Sequence, residues 1–191
     1  MRIISGTYRG FRLRSLKGAD LRPTSDQMRE TLFDVLGPAI AGSRFLDGYA
    51  GSGAVGLEAL SRGAAEVVLV ESHRGAQELI RRNLEALRVT TGVRLLGSRL
   101  ETALERLAQE NVAFDYVFLD PPYGEIAAYH RVLRQLGRSS LPAPGSTVIA
   151  EHSRHVLLED NYGVLEQRRS IRHGDSQLTF YRPLPERLTE K

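Results

Sequence analysis

Four consecutive residues, Asp120-Pro121-Pro122-Tyr123, combine groups suited to gripping an amine. Proline has a fixed φ and no N–H, and it pushes the residue before it into extended backbone, so an extended turn with available carbonyls is expected. The Asp120 carboxylate and the Pro121 carbonyl then form two neighbouring acceptors, with the Tyr123 ring beside them. An exocyclic amine on a nucleobase is the complement, with two N–H donors and a π-face. Its lone pair is delocalised into the ring, which makes it a poor nucleophile. Hydrogen bonds to both N–H groups favour a tetrahedral, more nucleophilic nitrogen, and in-line positioning of this kind can lower a barrier by ~7–11 kcal/mol at the limit. Asp120, Pro121 and Tyr123 are therefore the candidate catalytic residues. The plainer alternative is a strand-ending Asp-Pro turn with a core tyrosine.

A second segment, Gly51-Ser52-Gly53-Ala54-Val55-Gly56, has the G-x-G-x-x-G spacing. Glycines so spaced allow a tight turn and close backbone approach to a ligand, though the same pattern also serves a turn that merely packs a helix on a strand. Glu71 lies 20 residues beyond Gly51, at the end of the next apolar run, where a carboxylate could take ribose hydroxyls. That much fits a dinucleotide or S-adenosylmethionine (SAM). Asp47, just before the loop, favours SAM: a carboxylate sits poorly beside a pyrophosphate but pairs with the ammonium of a methionine moiety.

These residues need a frame. Phe45-Leu46-Asp47, Val67 to Glu71, Val93 to Leu96, Asp115 to Asp120 and Thr147 to Ala150 read as short apolar strands, three of them ending in an acid. Between them, helical spacing is seen through Leu60, through Ala76 to Leu87, over 100–109 and over 125–137. Apolar strands alternating with helices predict βαβ units and a parallel sheet, whose ligands bind at the carboxyl ends of the strands. Upstream, Met28, Leu32, Val35 and Leu36 mark a helix face that Gly37-Pro38 ends, with Thr24 and Gln27 as a capping box. Residues 2–5 and 11–14 flank a Gly-containing turn and predict a hairpin. Ser139 to Ser146 reads as a loop, and the tail carries strand-like runs near 164–171 and 177–182.

The 191 residues have ordinary globular composition, no cysteine and a net charge of +3. Disulfides, thiolate zinc sites and a cysteine nucleophile are excluded. No run approaches a membrane span, no secretory signal is visible, and a cytoplasmic location is expected. Residues 1–22 hold six basic side chains (Arg2, Arg9, Arg12, Arg14, Lys17, Arg22) against one acid, leaving the rest slightly negative. A basic arm over 1–22 on a domain over 23–191 predicts a phosphate-rich partner, although the strong preference for Arg over Lys also fits codon usage. Tyr8 and Phe11 suit either stacking on RNA or a hairpin core. His152 and His155 read as a surface pair rather than a metal site, and no metal is expected.

Together these segments resemble the bacterial 16S ribosomal RNA guanine-N2 methyltransferase family over almost the whole chain. The resemblance rests on Arg2-Ile3-Ile4-Ser5-Gly6 with Arg9-Gly10, on Leu21-Arg22-Pro23-Thr24-Ser25-Asp26 and on Arg29-Glu30-Thr31-Leu32-Phe33. It continues through Leu46 to Gly53, Gly56 to Ala64, Asp120 to Tyr123 and Gly174-Asp175-Ser176. Asp-Pro-Pro-Tyr alone would also fit adenine-N6 methyltransferases; the arm and the Arg-Pro-Thr-x-Asp segment narrow the match.

The resemblance implies a Rossmann-like seven-stranded methyltransferase sheet with an N-terminal β-hairpin extension. It implies SAM as cofactor, with Asp47, Ala50, Gly51, Gly53, Glu71, Ser98 and Leu100 around it. Asp120 and Pro121 would hold the amine and Tyr123 would stack on the flipped guanine. Arg2, Arg9, Arg12, Arg14, Arg22 and Arg29 would face RNA. The partner would be 16S rRNA, the small subunit or an assembly intermediate, met by a monomer away from membranes. Two departures stand out. Arg99 occupies the place where the family often has Asn or Asp to meet the adenine amine, and Arg cannot accept a hydrogen bond. Gly48 replaces a bulkier residue, which would loosen the loop. The rival expectations are an adenine-N6 methyltransferase acting on DNA or RNA, an NAD-dependent oxidoreductase, and a non-catalytic RNA-binding assembly factor.

Overall fold

The computed structural model describes residues 1–15, 26–122 and 124–184. Thr24 of the expected capping box, Lys17, Arg22 and Tyr123 lie outside the described residues. The apolar runs form β1 (Arg44–Asp47), β2 (Glu66–Val70), β3 (Val93–Leu96), β4 (Phe114–Leu119) and β5 (Pro142–Ser153). The helices are α1 (Asp26–Leu36), α2 (Ala54–Ser61), α3 (Arg74–Ala86), α4 (Leu100–Gln109) and α5 (Ile126–Leu136). Three further strands close the chain: β6 (Asn161–Tyr162), β7 (Leu165–His173) and β8 (Ser176–Pro183).

The sheet order is β3-β2-β1-β4-β5-β8-β7-β6. Pairings from β3 to β5 are parallel, and those among β5, β8, β7 and β6 are antiparallel. The expected seven strands are present, and the two-residue β6 adds an eighth at the edge. The N-terminal arm is less regular than a hairpin: among its described residues it holds a single antiparallel bridge, Arg2 to Arg12. The segment read as a loop up to Ser146 begins β5 instead. Phe114 pairs with Pro142 and Tyr116 with Thr147, so the residues between bulge out, which is where a strand tolerates proline and glycine.

Period-two alternation explains why the strands are apolar throughout. Leu46, Val68, Val70, Val117 and Leu119 face α4 and α5, packing on Leu104, Leu107, Val132 and Leu133. Their neighbours Phe45, Val67, Leu69 and Phe118 face the other layer, with Leu32 and Phe33 of α1, Val55 of α2 and Ile80 of α3. Both faces are covered, as a parallel sheet requires. The order reverses between β2-β1 and β1-β4. Such a switch point leaves a crevice outside the carboxyl ends of the strands.

Helix α2 is buried nearly all round because the arm covers its outer side. Ile3 and Leu13 pack on Ala54, Leu57 and Leu87. The one charge on α2, Glu58, is fully buried and entirely engaged. Its Oε2 accepts from Ile4 N–H (2.7 Å), and its Oε1 from Ser5 N–H (3.0 Å) and Arg62 Nε (2.7 Å). Asn83 of α3 clamps the far end, accepting from Arg14 N–H and donating to the carbonyls of Arg14 and Ser52. The arm is thus fastened by side chains of the domain and, through Asn83, to the glycine-rich loop.

Candidate active site

The crevice is a cleft of about 1020 Å³. It gathers Asp47, Ala50, Gly51, Glu71, Ser98, Leu100, Asp120 and Pro121 from the ends of β1, β2, β3 and β4, and Met1 and Ser15 of the arm border it. Gly53 does not itself line the cleft; it is the N-cap of α2, at φ +80°, a left-handed conformation that favours glycine.

On one side, carboxylates organise the loop. Asp47 ends β1 and is 1% exposed, and its Oδ2 accepts from Gly56 N–H (2.9 Å). The close approach depends on Gly56: a Cβ there would come within 2.3 Å of Leu69 Cδ2. Burial pushes the Asp47 carboxyl up to about 7, against the opposing pull of the Gly56 and Tyr49 N–H groups; the Glu71 charge adds to the rise. A buried acid facing a cleft at such cost fits a cationic ligand group, whose charge would restore the ionised form. Glu71 follows β2 and bridges two loops, its Oε2 accepting from Gly51 N–H (2.8 Å) and its Oε1 from His73 N–H (2.7 Å). Its partly exposed oxygens face the cleft with acceptor capacity remaining. The donors and acceptors here fit SAM: a buried anion for its ammonium and a surface anion for its ribose.

On the other side lies Asp120, one residue past β4, followed by buried Pro121 and exposed Pro122. Pro122 carbonyl accepts from Glu125 N–H (3.1 Å), turning the chain into α5. Behind this turn stands Tyr129 of α5, 6% exposed, whose hydroxyl donates to the Glu151 carbonyl (2.7 Å). Burial, then the charges of Asp120 and Glu151, holds that phenol well above its ordinary pKa and so protonated.

Several expectations need correction. Arg29 is fully buried and faces no RNA. Its Nη2 donates to the Arg2 carbonyl (2.7 Å) and pairs with Asp26 (2.6 Å), and its Nη1 reaches the Ala54 carbonyl (3.5 Å). It ties arm, α1 and the start of α2 together. Arg2, Arg9, Arg12 and Arg14 are exposed. Tyr8 and Phe11 pack, half-buried, on the cluster that Ile3 and Leu13 form with Ala54, Leu57 and Leu87. His152 is no surface residue: it is 4% exposed, with Nδ1 against the Ser153 carbonyl and Nε2 against Thr179 Oγ1, both at 2.8 Å. Because a carbonyl only accepts, Nδ1 carries the proton and Thr179 donates to Nε2; burial lowers the His152 pKa and keeps the ring neutral. Gly48 does not loosen its loop. A Cβ there would lie 2.8 Å from Leu100 Cδ2 and 2.9 Å from Leu119 Cδ2, so the space is already filled. Ser98 spends its hydroxyl on the Arg99 carbonyl (3.2 Å).

Glu151 and Tyr129 are among the cleft residues that escaped the sequence reading. Glu151 carried the signal that marked the other acids, since it directly follows the apolar run Thr147 to Ala150.

Comparison with known proteins agrees with this geometry. The family model described as conserved hypothetical protein 95 matches residues 1–182. The Bacillus subtilis protein named "Putative rRNA methyltransferase YlbH" is 34% identical over 95% of this chain and 98% of its own length. "Ribosomal RNA small subunit methyltransferase D" of Escherichia coli K12 is 43% identical over 64% of this chain; the match spans 60% of that protein. Among solved structures, the Escherichia coli protein yhhF superposes with a TM-score of 0.83 at 31% identity, covering 96% of this chain and 97% of the other.

Proposed function

The chain belongs to the conserved hypothetical protein 95 family, and on that premise we propose that it is a SAM-dependent methyltransferase acting on the exocyclic N2 amine of a guanine in 16S ribosomal RNA. The observation that carries this reading is the placement of Asp120-Pro121 across one cleft from Asp47 and Glu71. Amine acceptors and a cofactor site then share a single space. The relatives named as ribosomal RNA methyltransferases supply the substrate class.

When bound, SAM supplies a methyl group activated by its sulfonium. Asp47 would hold the methionine ammonium, Glu71 the ribose, and the backbone around Ala50 and Gly51 the sugar edge between them. Asp120 and the Pro121 carbonyl would accept the two N–H bonds of the amine and aim its lone pair. The Asp120 carboxylate stands where it can take the proton released as the nitrogen is alkylated. The target base must leave its stack, at a cost of roughly a few kcal/mol. Tyr123 is assigned the stacking role by the sequence motif alone. Exposed Arg2, Arg9, Arg12 and Arg14 would grip phosphate, with binding that weakens steeply as salt rises. We further propose that the protein works as a monomer in the cytoplasm, on 16S rRNA, the small subunit or an assembly intermediate.

The test is methyl transfer from isotope-labelled SAM to unmodified 16S rRNA, small subunits and duplex DNA in parallel. Label recovered as N2-methylguanosine in rRNA or subunits is the expected result. Label in DNA or RNA adenine would replace the substrate, and no label with SAM bound would favour a non-catalytic assembly factor.

A further inference from the structure

An Asp-Pro-Pro-Tyr turn holds an amine but does not say which base carries it. Guanine and adenine differ beside the amine. Guanine places an N1–H donor next to its N2 amine, whereas adenine places an N1 lone pair next to its N6 amine. A site that reads guanine therefore needs one more acceptor adjacent to those that hold the amine.

The neighbouring strand supplies it. Strands β4 and β5 run parallel with Leu119 opposite Ala150, so Glu151 of β5 lies at the level where Asp120 follows the end of β4. Residues in register on parallel strands share a face, and both acids line the same cleft. Both also act on the Tyr129 hydroxyl. Glu151 is 8% exposed and held in place: its carbonyl takes the Tyr129 hydroxyl, and its backbone pairs with Leu178 of β8. An acceptor on a central strand with its backbone fixed on both sides suits base reading, because rigid placement turns a hydrogen bond into discrimination.

We propose that Glu151 is a specificity-determining residue whose carboxylate accepts the N1–H of the target guanine while Asp120 and Pro121 hold its N2 amine. The inference rests on the guanine-N2 reading above. Adenine offered to the same pair of acids would set its N1 lone pair against a carboxylate. The rest of the cleft could serve either base; Glu151 makes the choice.

The experiment places guanine or 2-aminopurine at the mapped target position of ligated 16S rRNA, offered both free and reassembled into small subunits. The analogue keeps the N2 amine but has an acceptor at N1. Wild-type protein is expected to methylate guanine at least about 100-fold faster, as sites built around a substrate N–H do. In E151Q the amide can donate to N1, so the guanine rate falls about 10- to 100-fold and the analogue rate holds or rises. SAM affinity, measured by calorimetry, stays unchanged. Should E151Q not fold, E151D withdraws the acceptor by one methylene and gives an intermediate ratio. Equal wild-type rates on the two bases, or a ratio unchanged in the variant, would overturn the role of Glu151 and leave the methyltransferase reading intact. Failure of the wild type on guanine itself would overturn that reading as well.

Discussion

The two sides of the cleft are built differently. On the cofactor side, the carboxylates of Asp47 and Glu71 hold the loop itself, through Gly56, Gly51 and His73. On the base side, the scaffold is held by backbone and a phenol: β5 pairs on both edges, and Tyr129 anchors the Glu151 carbonyl. The acids there line the cleft on that frame. The contrast teaches that changes on the cofactor side alter stability and cofactor binding together, whereas changes on the base side are expected to cost more in rate than in stability. The arm belongs with the first kind, since Glu58, Asn83 and Arg29 fasten it to α1, α2 and the loop.

The largest expected effect is on the base side. D120A should reduce methyl transfer by about 10²–10⁴-fold, with thermal midpoint and SAM affinity little changed. Single-turnover assays beside calorimetry would check it, and parallel loss of SAM binding would erase the contrast.

E58A should do the reverse. It strands two arm N–H groups and leaves Arg62, mostly buried, without its carboxylate. A loss of about 3 kcal/mol in denaturant unfolding is expected. A neutral outcome would mean the arm is not part of the cooperative fold.

D47N sharpens the comparison through pH. Because the folded Asp47 pKa is raised from 3.8 to about 7, this group lowers stability as pH rises from about 4 through 7. D47N should remove that slope and be no less stable than wild type at pH 8, while binding SAM about 10- to 100-fold more weakly. For the wild type, a ligand ammonium favours ionised Asp47, so SAM binding near pH 7 should release a fraction of a proton and tighten from about pH 5 to 7, below the range in which an α-amino group itself deprotonates. Calorimetry in buffers of different ionisation enthalpy reads both. Proton uptake would contradict the placement of the ammonium.

The smallest effect is at the surface. Replacing Arg9 or Arg12 with Ala should lower RNA affinity a few-fold and reduce the salt slope by about one per residue, without altering stability.

Much of this was legible in the chain. An apolar run ending in an acid located Asp47, Glu71 and Asp120, because a parallel sheet buries its strands and opens at their carboxyl ends. Glu151 carries the same signal, directly after the apolar run Thr147 to Ala150, but no loop motif follows it to mark a site. Arg29 was placed toward RNA by the resemblance, which does not say which way its helix faces. It lies on the stripe of Met28, Leu32, Phe33 and Leu36 that α1 buries. Ile3 and Leu13 turn inward at the two ends of the arm, and only the structure shows α2 waiting beneath them. The bulged start of β5 was unreadable for another reason: Pro142 and Pro144 signal a loop locally, and only pairing with Phe114 overrides it.

The most direct measurement is mass spectrometry of 16S rRNA nucleosides from cells lacking this protein, complemented with wild type or with D120A. The account predicts one N2-methylguanosine that disappears on deletion, returns with wild type and stays absent with D120A. An unchanged nucleoside profile on deletion, or full restoration by D120A, would contradict it.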